Sequence, residues 1–243
     1  MRKVPALIAA LLAGVLAGIA DAGERAAERA EMVRVIERHA ATVPGILGAE
    51  GIASEVLEVM RAAPRHLFVP EDRRHLAYED RPVAIGHGQT ISQPFVVALM
   101  THLAAPRPGD TVLEIGTGSG YQAAVLSPLV GRVCTIEIIP ALGETAAARL
   151  AELGYANVEV RIADGYHGWP ECGPFDAIVV TAAIDHVPPP LVAQLGPGGR
   201  MVLPVGGAFA TQHLTLVEKD AAGEVRTRQL LPVRFVPFVR GTQ

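Results

Sequence analysis

From residue 110 onward the sequence alternates between short apolar runs and helical stretches. That alternation dictates a mostly parallel sheet with helices packed on both faces. The strands read as "DTVLEIG", "GRVCTIEI", "VEVRIAD", "FDAIVVTAA" and "RMVLPVG". The helices read as "YQAAVLSPLV", "LGETAAARLAELG" and "PPLVAQLG", the second ended by Gly154 and the third by Pro197-Gly198-Gly199. The tail "QHLTLVEKDAAGEVRTRQLLPVRFVPF" reads as antiparallel strands around a turn at residues 221–223. The expected fold is α/β, doubly wound and Rossmann-like, with antiparallel C-terminal strands.

Upstream of residue 110 the pattern is helical and less regular. Met32, Val33, Ile36 and Ala40 fall on one face of a charged helix. "SEVLEVMRAAP" is a second helix, with Ser54 as N-cap and Pro64 as its stop. The link between them, "ATVPGILGAEGI", is long. "PFVVALMTHLAA" is a third helix with Pro94 in its first turn. Residues 65–94 are rich in turn formers and charge and lack a period. A long irregular stretch within a compact domain is usually functional.

The N-terminus has its own logic. Arg2 and Lys3 precede an uncharged, alanine- and leucine-rich run over residues 4–20, then the small-x-small site Ala20-Asp21-Ala22. This is the layout of a secretory signal peptide or an N-terminal anchor. Residues 1–22 are set apart from the fold. Residues 23–243 form one domain, a helical extension over 23–85 and a cofactor-binding and catalytic part over 86–243.

Charge and rare residues remove other classes. The net charge is −4, and no Lys/Arg run tracks a phosphate backbone, so no nucleic-acid partner is expected. The eight histidines show no HxxxH spacing and the two cysteines no CxxC, so no metal site is expected. Cys134, in an apolar run, and Cys172, in "WPECGPFD", read as free thiols.

The chemistry centres on "LEIGTGSGYQ", residues 113–122, where the first strand runs into a glycine turn. A dinucleotide site wants G-x-G-x-x-G. Here Gly116, Gly118 and Gly120 are spaced G-x-G-x-G around Thr117 and Ser119, and Tyr121 follows. The Gly-Lys-Ser/Thr of a phosphate loop is absent. Glu137 ends the second strand, about 20 residues on, where an acid takes both ribose hydroxyls. Asp164 ends the third strand beside Gly165 and can accept from an adenine amino group or cap the next turn. Glu114, inside the first strand, can meet the ammonium of an amino-acid tail. Each acid alone is more often a cap or a solvated residue. Together they describe ribose, adenine and a cationic amino-acid tail without phosphates, which is S-adenosylmethionine, and a class I methyltransferase.

The block "GHGQTISQPF", residues 86–95, narrows the class. With "PRHLFVP", "LAYED", "VLEIGTGSGYQ", "FDAIVVTAA", "GGRMVLPVG" and "VRFVPFV", in that order, the chain resembles the protein-L-isoaspartate O-methyltransferase family from roughly residue 30 to 240. The resemblance implies methyl transfer from S-adenosylmethionine to the α-carboxylate of L-isoaspartyl residues, which begins repair through a succinimide. It implies Ser92 as the active-site serine, with Thr90, Ile91 and Gln93 around the reacting centre. It implies cofactor contacts from Gly116, Thr117, Gly118, Ser119, Gly120, Glu137, Ile138, Asp164 and Gly165. The tail over residues 235–239, Val239 included, would lie over the substrate backbone. The family setting implies a cytoplasmic monomer acting on isoaspartyl-containing peptides and proteins. Residues 1–22 raise the alternative of a periplasmic or membrane-anchored protein, with membrane contact only through that segment.

A carboxylate with pKa near 4 is ionised at neutral pH and needs no general base to attack an activated methyl. Ser92 is therefore expected to orient the substrate by hydrogen bonding, to cap the helix starting at Pro94, or both. His87 reads mainly as a turn residue, and Trp169 as packing for the loop after Asp164. Two alternatives stand: a methyltransferase for a small molecule or RNA, and a cofactor-binding module without turnover.

Overall fold

The computed structural model describes residues 25–207 and 210–241. The signal-like segment, residues 1–22, lies outside the described residues. The first helix, α1 (Ala26–Ala40), buries the face that the periodicity marks: Met32, Val33, Ile36 and Ala40. A single turn, α2 (Pro44–Leu47), sits inside the long link. Next comes α3 (Ser54–Ala62), whose N-cap is Ala53 and not Ser54. The Ser54 hydroxyl turns instead to Glu55, and the Ala53 amide donates to Nδ1 of His102 at 3.2 Å. Burial lowers the His102 pKa, which favours the neutral ring that can accept this bond.

Residues 65–94 carry more order than their composition suggests. Two 3-10 turns, Arg65–Phe68 and Glu71–Leu76, lead into an antiparallel hairpin of β1 (Val83–Gly86) and β2 (Gln89–Ile91). Gly86, His87 and Gly88 all have positive φ at its tip, and His87 is exposed there. The boundary drawn at 85/86 thus falls within one hairpin. The hairpin delivers the chain to α4 (Pro94–Ala104).

The main sheet follows the predicted alternation. Its strands are β3 (Thr111–Ile115), β4 (Arg132–Glu137), β5 (Val158–Ile162), β6 (Phe175–Val180), β7 (Leu195–Val205), β8 (Gln212–Lys219) and β9 (Val225–Val233), in the spatial order β5-β4-β3-β6-β7-β8-β9. The first five run parallel and the last two antiparallel. Helices α5 (Tyr121–Leu126), α6 (Pro140–Glu152) and α7 (Pro189–Gln194) make the connections. Strand β7 starts earlier than expected. Leu195 pairs with Phe175 and Arg200 with Ala177, so residues 197–199 bulge from the strand edge and do not separate helix from strand. The β8–β9 turn is built on Asp220, whose Oδ1 accepts from the Ala222 and Glu224 amides.

Strand alternation sorts the core. Val112, Val133, Ala177 and Val202 join the helical N-terminal part in one cluster. Leu113, Cys134, Ile178 and Met201 point to the other face, where Cys172 joins them. There Cys134 and Cys172 form a disulfide with Cα atoms 6.7 Å apart, which corrects the expectation of free thiols. They stand 38 residues apart in sequence. Only the fold-back of the loop after β5 brings them together.

The strand order reverses between β3 and β6, so the carboxyl ends of these neighbours open onto a crevice. A strap over residues 234–241 crosses that end of the sheet. It is fastened by Ala183 N–H to Val236 O and Phe238 N–H to Ala183 O, both 2.8 Å. Among the described residues no helix is long and apolar enough to cross a membrane.

Candidate active site

The glycine turn after β3 forms the floor of a half-open cleft. Gly116, Gly118, Glu137, Ile138, Gly165 and Thr181 are among its walls. Gly116 has φ +94, and a Cβ there would lie 2.5 Å from Oγ1 of Thr181. Glycine is therefore required both for the backbone conformation and for space. Thr181, just past β6, donates to the Gly116 carbonyl at 2.7 Å and so closes the turn onto the neighbouring strand.

The three acids occupy three different settings. Glu137 is buried; its Oε2 accepts from Gly118 N at 2.7 Å and its Oε1 from Ile139 N at 3.0 Å. Each oxygen retains capacity for a ligand hydroxyl. Asp164 accepts from Tyr166 N at 2.9 Å, Arg240 Nε at 3.2 Å and Gly241 N at 3.1 Å. Burial works to raise its pKa, but the Tyr166 amide, Arg240 and the Gly241 amide hold it below the ordinary value. The tail thus already grips this acid, and the Arg240 guanidinium stacks 3.6 Å over Tyr166.

Glu114 is fully buried beneath the turn. The parallel register sets it beside Thr135, whose hydroxyl donates to Oε2 at 2.5 Å. Thr117 in turn lies 2.6 Å from Thr135. The second oxygen, Oε1, has no partner. Burial, with the Glu137 charge adding to it, pushes the Glu114 pKa up to about 8 against the Thr135 hydrogen bond.

Two further cavities meet this cleft. A small inner one is lined by Glu114, Thr117, Ser119, Ile91 and Ser92. A wider outer groove is lined by Ser92, Gln93, His39, Phe95 and strap residues 231–236. Thr90 and Thr181 border all three. Ser92 borders the inner cavity and the groove, at their junction.

The expected site residues therefore separate by position. Glu137, Ile138 and Gly165 face the cleft, while Glu114, Thr117 and Ser119 lie behind the turn. Gly120 borders neither; with φ +91 it starts α5 and packs on Leu150. Val239 lines the cleft and not the groove. Ser92 does not cap α4: its N-cap is Gln93, without a side-chain bond, and the Phe95 amide is met by Asp80. Trp169 packs in the second core with Arg161 5.1 Å over its ring. Sequence reasoning passed over Thr181, His39 and Asp80. The run "VVTAA" at a strand end was the signal available for Thr181.

The family model for protein-L-isoaspartate(D-aspartate) O-methyltransferase matches residues 45–243. The chain belongs to this family. It is 59% identical over 215 residues to protein-L-isoaspartate O-methyltransferase 2 of Syntrophobacter fumaroxidans, covering 88% of this chain and 87% of that protein. It is 60% identical to protein-L-isoaspartate O-methyltransferase 1 of Cupriavidus necator, covering 88% and 83%. Among solved structures, a protein-L-isoaspartate O-methyltransferase superposes with TM-score 0.74 at 29% identity, over 86% of this chain and 65% of that one. A Plasmodium falciparum chain solved with S-adenosyl-L-homocysteine superposes with TM-score 0.69 at 24% identity, over 87% and 98%, and supports the fold. In this chain the "GQTISQP" block forms the lip between cleft and groove.

Proposed function

We propose that this protein transfers a methyl group from S-adenosylmethionine to the α-carboxylate of L-isoaspartyl residues in peptides and proteins. The observation that carries the reading is the meeting of three cavities at Thr90 and Thr181, with Ser92 beside them. The residues fit the cofactor. Glu114 keeps one oxygen unpartnered under the turn, the place for an ammonium. Glu137 would hold the ribose, and Asp164 with Gly165 would edge the adenine. Bound there, S-adenosylmethionine supplies an electrophilic methyl on a sulfonium centre.

The chain's own work is alignment. The substrate carboxylate is ionised at neutral pH, so no side chain need take a proton from it. Ser92 would donate its hydroxyl to one carboxylate oxygen and turn the other toward the cleft. Holding reactants in line supplies most of what such a transfer needs. The next backbone nitrogen then attacks the methyl ester and expels methanol, which closes the succinimide without help from the enzyme.

The signal-like layout of residues 1–22 supports export or an N-terminal anchor as the alternative to the cytoplasm.

The test uses methyl-labelled S-adenosylmethionine and two peptides that differ only in an isoaspartyl or an aspartyl residue. Label in the isoaspartyl peptide alone, released as methanol by base and abolished by Glu137→Ala, is the expected result. Equal labelling of both peptides, or of neither despite cofactor binding, would sink the reading.

A further inference from the structure

Ser92 and Gln93 need a rigid mount, since a misplaced hydroxyl aligns nothing. The mount comes from the blocks "PRHLFVP" and "LAYED". Arg65, fully buried, donates Nη2 to the Ser92 carbonyl at 2.6 Å and Nε to the Ala77 carbonyl at 2.7 Å. Asp80 holds the other side. Its Oδ2 accepts from Gln93 Nε2 at 2.9 Å, and its Oδ1 accepts from Phe95 N, also at 2.9 Å, in the first turn of α4. The same Oδ2 lies 3.0 Å from Nδ1 of His39. The His39 ring stacks on Phe95, with centroids 4.1 Å apart and planes 15° apart. It lines the outer groove together with Ser92 and Gln93. His39 belongs to α1, ahead of the residues that the family model matches.

We propose that Asp80 is a positioning residue for methyl transfer, acting through Gln93 and the start of α4, and that it presents His39 as the groove-side contact for the peptide. The inference rests on the isoaspartyl reading for its kinetic test but not for its structural one. Asp80 joins three parts of the molecule. It replaces the helix cap that Ser92 does not make. It fixes a side chain that adjoins the orienting hydroxyl of Ser92. It also ties α1 to the reactive loop, with only 11% of its side chain exposed. A carboxylate that accepts three donors, one from a helix N-terminus, is hard to mimic with an amide. An Asn there offers one carbonyl oxygen and an NH2 that faces other donors.

The experiment compares the wild type with Asp80→Asn, Gln93→Leu, the double variant and His39→Ala. Rates are measured with S-adenosylmethionine and an isoaspartyl peptide. They are normalised to sites counted by calorimetric titration with S-adenosylhomocysteine. Misfolded protein therefore does not enter the rate. Asp80→Asn is expected to lower kcat per site by about 10- to 100-fold, the range for a lost charge-assisted hydrogen bond. Its affinity for S-adenosylhomocysteine should stay within about threefold. The double variant should be no slower than the slower single one, because both remove one contact. His39→Ala should raise the peptide KM and leave kcat nearly unchanged. Hydrogen exchange over residues 90–97 should quicken in Asp80→Asn and not in His39→Ala. That readout holds even if the wild type ignores isoaspartyl peptides, which would overturn the functional reading alone. Wild-type kcat per site together with wild-type exchange in Asp80→Asn would overturn this proposal.

Discussion

The cleft proposed for the cofactor and the loop that carries Ser92 adjoin each other but are built by opposite means. The cleft is made of strand ends. Gly116 follows β3, Glu137 ends β4 and Gly165 lies just past β5, so the strand ends place these walls. The reactive loop follows a two-stranded hairpin outside the main sheet and is bolted down by side chains from distant segments. Each region stores one fully buried ionisable group. Arg65, under the loop, spans two carbonyls, stacks 4.7 Å over Tyr121 and leaves Nη1 without a partner. Glu114, under the cleft, has one oxygen bonded and one left over. Both keep one unpartnered atom, so what separates them is place: Arg65 lies behind the loop, and Glu114 lines the inner cavity, where we propose that it stands in reserve for a ligand.

The largest expected effect comes from that reserve. The folded pKa of Glu114 stands near 8, above its ordinary 4.5. Below pH 4.5 both folded and unfolded chains keep the proton. As pH rises toward 8 only the unfolded chain releases it, so stability falls, by about 1.4 kcal/mol per pH unit from this group alone. Glu114→Gln removes that slope. Urea unfolding should find the variant more stable than wild type at pH 8 and similar near pH 4.5, while its affinity for S-adenosylmethionine drops. An unchanged slope would mean that Glu114 is ionised in the free protein.

Arg65→Met probes the loop. It leaves the Ser92 and Ala77 carbonyls without their donor in a buried setting. The expected loss is about 3 kcal/mol of stability. Here kcat should fall far more than affinity for S-adenosylhomocysteine. Equal losses in both would erase the distinction between the two regions.

The smallest effect is expected at Arg240→Ala. Its pair with Asp164 is half exposed, with side-chain accessibilities of 45% and 17%. Such pairs contribute under about 1 kcal/mol. Denaturation should barely shift, and S-adenosylhomocysteine affinity should change by no more than about threefold. A large loss would mean that the strap itself shapes the adenine end.

This division also explains what the sequence revealed. Strands β3 to β7 announce themselves by apolar runs between helices, and the glycine turn by its spacing, because both are local signals. The acids at strand ends were legible for the same reason. The hairpin at Val83–Ile91 was not, since its strands are three and four residues long and turn residues dominate them. Arg65, Asp80 and His39 were illegible as loop supports. Their contacts reach 27, 13 and 41 residues along the chain, and no local pattern records such a pairing. The Cys134–Cys172 disulfide was missed for that reason too.

The most direct test of the account is a crystal structure with S-adenosylhomocysteine and an isoaspartyl peptide bound together. The account predicts the nucleoside between Gly116, Glu137 and Gly165, and the isoaspartyl carboxylate on Ser92, with Thr90 and Thr181 between the two. A peptide carboxylate bound away from Ser92, or a nucleoside seated in the outer groove, would contradict it.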